Sequence, residues 1–279
     1  MAGAVTFTLD LEDHRAPEST EERYPALTRR VLEFLRHRGV RGTFFVTGEI
    51  AERAPELVGD VADAGHEIGF HGWHHVPLPR LTPVQLRADA KRGKDLLEDV
   101  SGTPVIGFRA PLFSLVPESR WAVDVLAEVG FTYSSSVLPA RNPLFGDPAA
   151  PATAFRWPNG LIELPCPVAR VAGLGLPYLG GVYLRALPTP VASAARRLFG
   201  SEQTLWIYCH PYDFDPDESF WVAPEVGRFG SRLLFYNRRR MFTKVEALLR
   251  AGVAPPLGER LAVLESAGLP AWSGAVSAT

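Results

Sequence analysis

The sequence has few cysteines, little net charge and no long uninterrupted apolar run. Two cysteines in 279 residues, Cys166 and Cys209, are too few for a disulfide framework or a cysteine-based zinc cage. A formal net charge of -2 gives no general positive field for a phosphate backbone, which argues against nucleic-acid binding as the main role. The most apolar stretch, residues 161–187, is interrupted by prolines and glycines, so no transmembrane segment is predicted.

The N-terminal sequence MAGAVTFTLDLEDH places acids where a secretory signal needs an apolar core. This pattern and the scarcity of cysteine predict a cytoplasmic protein, with the periphery of the inner membrane as the alternative location. The length suits one large domain or two small ones. None of these features predicts the oligomeric state.

Short hydrophobic strands alternate with amphipathic helices along most of the chain. Strands are predicted at 5–9, 42–46, 66–70, 105–108 and 204–208, and helices at 20–38, 55–64, 82–100, 118–129 and 231–249. This alternation favours parallel strands in an open doubly wound sheet or a closed β/α barrel. Residues 138–181 break the rhythm, with one strand predicted at 160–164, and we expect them to wall a cleft.

Polar side chains follow four of these strands, where ligands bind in both architectures. They are Asp10, Glu12 and Asp13, then His71, His74 and His75, then Arg109, and finally His210. Two imidazoles and a carboxylate suit zinc or another borderline divalent metal, although a histidine-rich loop can also be polar surface. The crowded acids favour a shared cation or proton if they are buried, whereas a solvated loop would need neither.

The motifs LDLED, HGWHH, GFRAP, YSSSV and YCHP occur here in the order and spacing of one enzyme group. Over residues 5–211 the chain resembles the polysaccharide deacetylase superfamily, the NodB-homology or carbohydrate esterase family 4 group. The segments GGVYLRALP, HPYDFDP and FYNRRRMFTKVEALL are most similar to its bacterial exopolysaccharide-associated branch. The resemblance implies an α/β fold, a distorted (β/α) barrel of the NodB-homology type. It also implies a single catalytic domain over 1–279, with 212–279 as a C-terminal extension packed on it.

The resemblance further implies one divalent metal, usually zinc. The substrate would be an N-acetylated amino sugar in a polysaccharide, oligosaccharide or lipid-linked glycan, from which the N-acetyl group is hydrolysed. His71 and His75 match the two histidine ligands at the ends of the family's HxxxH pattern, which leaves His74 as an extra histidine. In the family's commonest pattern the base and the acidic ligand are adjacent aspartates, whereas here Leu11 separates Asp10 from the following acids. Asp10 is therefore expected to be the general base, and either Glu12 or Asp13 the metal ligand.

By position, His210 matches the general acid and Arg109 the arginine that orients the base. An amide is a poor electrophile, so its hydrolysis benefits from a metal-activated water, a base for the water's proton and an acid for the leaving amine. The structural alternatives are a core histidine at 210 and a structural ion pair at 109. Among the aromatic residues, Trp73 is the candidate for stacking on a sugar.

Two other functions compete with deacetylation. An allantoinase-like relative would hydrolyse ureide or cyclic amide C–N bonds, and a non-catalytic relative would only bind sugar. The three arginines 238–240 are predicted to form the solvated face of a helix, with binding of a pyrophosphate-linked glycan as the alternative.

Overall fold

A computed structural model describes residues 3–16, 18–172, 174–200, 203–224 and 226–274. The strands are β1 (Thr6–Leu11), β2 (Gly42–Val46), β3 (Glu67–Phe70), β4 (Gly107–Phe108), β5 (Tyr133–Ser134), β6 (Phe155–Arg156), β7 (Ile162–Glu163), β8 (Val168–Val171), β9 (Leu174–Pro177) and β10 (Trp206–Cys209). The helices are α1 (Tyr24–Arg36), α2 (Gly48–Arg53), α3 (Pro55–Asp63), α4 (Pro83–Ser101), α5 (Ala122–Val129), α6 (Gly181–Ala186), α7 (Thr189–Phe199), α8 (Gly227–Phe235), α9 (Met241–Leu249) and α10 (Leu257–Ser266).

Eight strands form one sheet in the order β10-β1-β2-β3-β4-β5-β7-β6. All neighbours are parallel except β6 and β7, and the sheet curls into a half-barrel. The predicted distorted (β/α) barrel is therefore confirmed. Because the strands from β10 to β5 are parallel, their carboxyl ends meet at one edge, where the polar motifs follow them.

The pleat of β1 explains how an acid reaches the interior of the half-barrel. Phe7 and Leu9 pack in the hydrophobic cluster between the sheet and its helices. Thr8 and Asp10 alternate with them on the opposite face, where both contact the guanidinium of Arg109. A second apolar cluster, which includes Phe45, fills the inner face below these polar groups.

The strands and helices predicted for the N-terminal part of the chain are found, most of them with shifted ends. The strand at 42–46 has the predicted bounds, whereas α1 begins at Tyr24 rather than at residue 20, after an N-cap residue, Arg23, that makes no side-chain capping hydrogen bond. The capping box of α4 does form, since Thr82 Oγ1 accepts from the backbone N–H of Gln85.

The predicted helix 231–249 is wrong. Asn237 has a φ of 58°, which interrupts the helical backbone between α8 and α9. The expectation that arginines 238–240 form a solvated face also fails for Arg238, which is buried and lies 2.6 Å from Glu218 Oε2.

The described residues of the irregular stretch 138–181 contain four short strands rather than one, including the antiparallel pair β8–β9. At its end, Gly180 forms a bridge with Tyr208 of β10. A Cβ added at Gly180 would lie 2.2 Å from the Tyr208 carbonyl oxygen, so this close approach requires glycine.

The C-terminal helix α10 covers the amino ends of the strands, opposite the polar edge. The backbone N–H groups of Leu257 and Gly258 donate to Thr43 Oγ1 and Glu67 Oε2 at 2.9 and 3.0 Å. The division into one catalytic domain and a C-terminal extension stays a prediction. Among the described residues, no helix combines the length and hydrophobicity needed to cross a bilayer.

Candidate active site

The carboxyl edge of the sheet brings together most of the side chains named from the sequence. Two sets meet there: the group Glu12, His71 and His75, and beside it the group Asp10, Arg109 and His210. Asp13 and His74 lie outside both. Parallel strands bring these residues together although the sequence separates them by up to 200 positions.

Glu12, His71 and His75 each direct one potential ligand atom to a common point, and these atoms lie within 4.8 Å of one another. His75 Nε2 lies 2.6 Å from Glu12 Oε2, and His71 Nε2 lies 4.0 Å from the same oxygen. Glu12 Oε2 is nevertheless a buried oxygen that accepts no regular hydrogen bond from the described residues. Two ring nitrogens and an unsatisfied carboxylate oxygen fit a divalent metal such as zinc.

A hydrogen bond on the side of the ring that faces away from the cluster fixes the orientation of His71. Its Nδ1 donates to the backbone carbonyl of Arg109 at 2.8 Å, which leaves Nε2 with a lone pair toward the cluster. Burial lowers the pKa of His71 to about 4, so the ring is neutral at physiological pH. A neutral ring nitrogen is the form that binds a metal.

Glu12 and Asp13 are adjacent but have different surroundings. Burial raises the pKa of Glu12, but the neighbouring imidazoles, His75 foremost, outweigh burial and lower it well below its usual range. Asp13 instead lies 3.0 Å from Arg53 and 3.2 Å from Arg15. Of the two acids left open by the sequence, Glu12 is therefore the one that faces the histidines.

Asp10 is held by Arg109. Arg109 Nη1 donates to Asp10 Oδ1 at 2.6 Å and also to Thr8 Oγ1 at 2.8 Å, and the arginine is fully buried. The other oxygen, Asp10 Oδ2, lies 3.9 Å from the Nε2 atoms of both His71 and His210. One carboxylate oxygen is thus immobilised while the other faces the space between the two histidines.

His210 has an aspartate partner that the sequence analysis missed. Its Nδ1 lies 2.9 Å from Asp213 Oδ2, and its ring stacks on Tyr212 with the centroids 4.7 Å apart. Burial lowers the pKa of His210, but the Asp213 hydrogen bond and the Glu12 charge outweigh burial and raise it to about 9. Asp213 in turn forms a fully buried ion pair with Arg185, at 2.8 Å. Both residues lie in quoted motifs, HPYDFDP and GGVYLRALP, but their spacing did not indicate the pairing.

Trp73 and His74, which the sequence places next to the predicted metal ligands, make other contacts. Trp73 is almost fully buried beneath Arg92, whose guanidinium lies 3.6 Å from its ring, so it offers no face to a sugar. His74 is exposed and lies 2.8 Å from Glu49. The expectation of sugar stacking at Trp73 is wrong because its indole packs against the backbone of Gly48.

Two hollows open beside the cluster. One of about 460 Å³ is lined by Glu12, His75, Glu49 and Arg53, and one of about 270 Å³ by Glu12, His14, Tyr212 and others. Some residues of the irregular stretch, among them Pro139, Arg170 and Leu176, line a separate hollow of about 490 Å³. That they wall the active cleft therefore stays a prediction.

Comparison with known proteins supports this picture. The polysaccharide deacetylase family model matches residues 6–134, and a domain of unknown function, DUF3473, matches 135–252. Peptidoglycan-N-acetylglucosamine deacetylase of Bacillus cereus is 29% identical over 98 residues, which cover 35% of this chain and 36% of that protein. Peptidoglycan-N-acetylmuramic acid deacetylase PdaA of Bacillus subtilis is 35% identical over 75 residues, which cover 27% and 28%. The match therefore spans about a third of each relative.

The same fold occurs in a solved structure along almost the whole length. A putative polysaccharide deacetylase from Mycobacterium smegmatis superposes with a TM-score of 0.65 at 21% identity, covering 99% of this chain and 96% of that one. The family motifs lie at the carboxyl ends of the strands. From its sequence match, the part of the chain over residues 6–134 belongs to the polysaccharide deacetylase superfamily, and the whole chain shares the fold of the Mycobacterium smegmatis protein.

Proposed function

We propose that the protein is a metal-dependent hydrolase that removes N-acetyl groups from an N-acetylated amino sugar. The observation that carries this proposal is the placement of Asp10 Oδ2, which lies 3.9 Å from Nε2 of both His71 and His210. In this proposal a base, a set of metal ligands and a protonated imidazole would surround one small space. The matched relatives named as peptidoglycan deacetylases support the same chemistry.

The metal would be held by Glu12, His71 and His75. A bound zinc ion would polarise the amide carbonyl and lower the pKa of a water toward ~7. The nitrogen and oxygen donors of this set suit zinc, which is our proposed metal.

Asp10 would take the proton of the attacking water through Oδ2. The ion pair with Arg109 fixes its other oxygen, so the carboxylate is oriented before substrate binds. A carboxylate that is charged and preorganised in a buried site is a suitable general base.

His210 would protonate the leaving amine through Nε2. The hydrogen bond to Asp213 keeps the ring charged up to a pKa of about 9, so the proton is present at neutral pH. The stacking on Tyr212 holds the ring plane. Its Nε2 lies 3.9 Å from Asp10 Oδ2, so the proposed acid and base would both be close to the reacting amide.

The substrate would be a polysaccharide, an oligosaccharide or a lipid-linked glycan of the exopolysaccharide-associated type, a choice that rests on the GGVYLRALP and C-terminal motifs. To test the reaction, zinc-loaded protein is assayed for acetate release from N-acetylated chitooligosaccharides and, in parallel, for hydrolysis of ureides such as allantoin. Acetate release supports the proposal. Ureide hydrolysis without acetate release would favour the allantoinase-like alternative, and sugar binding without either product would favour a non-catalytic domain.

A further inference from the structure

We propose that an exposed face of α8 docks the protein on an anionic lipid bilayer. This α8 face consists of Arg228, Phe229, Arg232, Leu233 and Tyr236, all exposed. The spacing of these residues places them on one side of the helix and its immediate C-terminal end. Their surface mixes aromatic and aliphatic groups with cations.

The apolar side chains of the α8 face are exposed and do not belong to the hydrophobic core. Phe229 is 76% exposed, Leu233 39% and Tyr236 53%. The helix is anchored by its opposite side, where the buried Ser231 hydroxyl donates to the Gly227 carbonyl and accepts from the backbone N–H of Ala223. Contiguous exposed apolar side chains on a soluble surface mark an interaction site.

A second segment enlarges the apolar surface. Phe220 is 50% exposed, and its ring lies 5.2 Å from that of Phe235 on α8. Aromatic rings beside a basic helix are typical of a helix that lies in the plane of a membrane interface.

The charges of this surface indicate which kind of partner it binds. Residues 227–240 contain five arginines and no aspartate or glutamate. Arg238 is paired with Glu218, but Arg228, Arg232, Arg239 and Arg240 are exposed and form no ion pair within the described part of the chain. Cations interleaved with apolar groups, without acids, complement anionic lipid headgroups above acyl chains.

The α8 helix is connected to the catalytic region through Phe235 and the buried Arg238, which lie outside the exposed face. The guanidinium of Arg238 lies 4.0 Å from the Phe235 ring and 5.3 Å from the Tyr212 ring, and Tyr212 stacks on His210. Docking through α8 would hold the active site close to the membrane surface. Membrane binding itself does not depend on the proposed function, because none of the face residues belongs to the metal or acid–base groups.

The test is cosedimentation of the full chain with vesicles of phosphatidylcholine alone or of equal parts phosphatidylcholine and phosphatidylglycerol. We expect binding to the anionic vesicles, weakened by salt, and little binding to the neutral ones. Arg228→Gln and Arg232→Gln should each weaken binding by about fivefold, and Phe229→Ser by about tenfold. Arg197→Gln and Leu198→Ser, equally exposed positions on α7, are the matched controls and should bind like the parent.

Three results would overturn the proposal: no binding to anionic vesicles, equal binding to neutral vesicles, or equal weakening by the α7 controls. Sedimentation velocity without lipid tests whether the α8 face instead binds a second copy of the chain. Self-association that Phe229→Ser abolishes, in a protein that binds no vesicles, would assign the α8 face to a second copy of the chain. Thermal melting of each variant should match the parent, since the substituted side chains are exposed.

Discussion

Asp213 accepts hydrogen bonds from both the ring Nδ1 and the backbone N–H of His210, each at 2.9 Å. The double contact fixes the ring and places Nε2 toward Asp10 and Glu12, at 3.9 Å from each. The partner of Asp213 on the other side is the buried Arg185, so the aspartate stays charged without solvent. Against the opposing effect of burial, the Asp213 charge raises the pKa of His210 to about 9, so the imidazole is protonated at neutral pH and can donate a proton.

Replacing Asp213 by Asn should shift the pH dependence of turnover. A general acid works in its protonated form, so activity in the parent should fall as the pH rises through the His210 pKa of about 9. Without the Asp213 charge the pKa of His210 drops, and the fall in kcat should move to lower pH. The measurement is the alkaline limb of kcat against pH.

Asp217→Asn is the matched control, because Asp217 is exposed and lies close in sequence. Its pH profile should match the parent. Asp213→Asn also leaves Arg185 buried without its partner, so we expect a loss of stability of about 3 to 5 kcal/mol. A profile that keeps its shape while only stability falls would contradict the assigned role of Asp213.

Removing any member of the predicted metal set should remove the metal. Glu12→Gln, His71→Ala and His75→Ala should each lower zinc affinity by more than about 100-fold, since even outer partners of a ligand contribute 10- to 100-fold. Elemental analysis of purified protein gives the metal content. Asp13→Asn and His74→Ala should retain metal, because both side chains face other partners. Loss of metal in Asp13→Asn with retention in Glu12→Gln would exchange the two acids.

His66 should make stability depend on pH. Its burial, with a smaller effect of Arg41, lowers the pKa of His66 from 6.5 to about 4, and its Nδ1 accepts from the backbone N–H of Gly42. Between these pH values the unfolded chain takes up a proton that the folded chain does not, so stability falls as the pH drops. The full loss is on the order of 3 kcal/mol.

Denaturant unfolding at several pH values between 4 and 7, as set by these pKa values, measures the effect. His66→Asn should flatten the pH dependence relative to the parent, because Asn does not titrate. His37→Asn, at an exposed site, should leave the slope unchanged. Identical slopes in the parent and His66→Asn would show that His66 is not the titrating group.

Most of the side chains that meet at the site could be named from the sequence, because strand alternation and the spacing within short motifs are visible in the sequence itself. The alternation predicted a strand over 5–9 with Asp10 at its carboxyl end, whereas β1 continues to Leu11, and the match to the family's HxxxH pattern identified His71 and His75. The choice between Glu12 and Asp13 depends on how the chain turns after the strand ends at Leu11, which alternation does not determine.

Long-range pairings were not predictable in the same way. Asp213 and Arg185 meet because β10 and the segment before α6 pack side by side at the Gly180–Tyr208 bridge. The burial of Trp73 likewise depends on α2 and α4, which supply Gly48 and Arg92. These contacts follow from tertiary packing, which residue types and spacing alone do not specify.

The most direct test of the account is acetate release from an N-acetylated chitooligosaccharide by zinc-loaded parent and zinc-loaded Asp10→Asn. The account predicts that the variant keeps its metal, because Glu12, His71 and His75 are intact, while kcat falls by about 10² to 10⁴-fold. A metal-loaded parent that releases no acetate, or an Asp10→Asn protein that turns over like the parent, would contradict it.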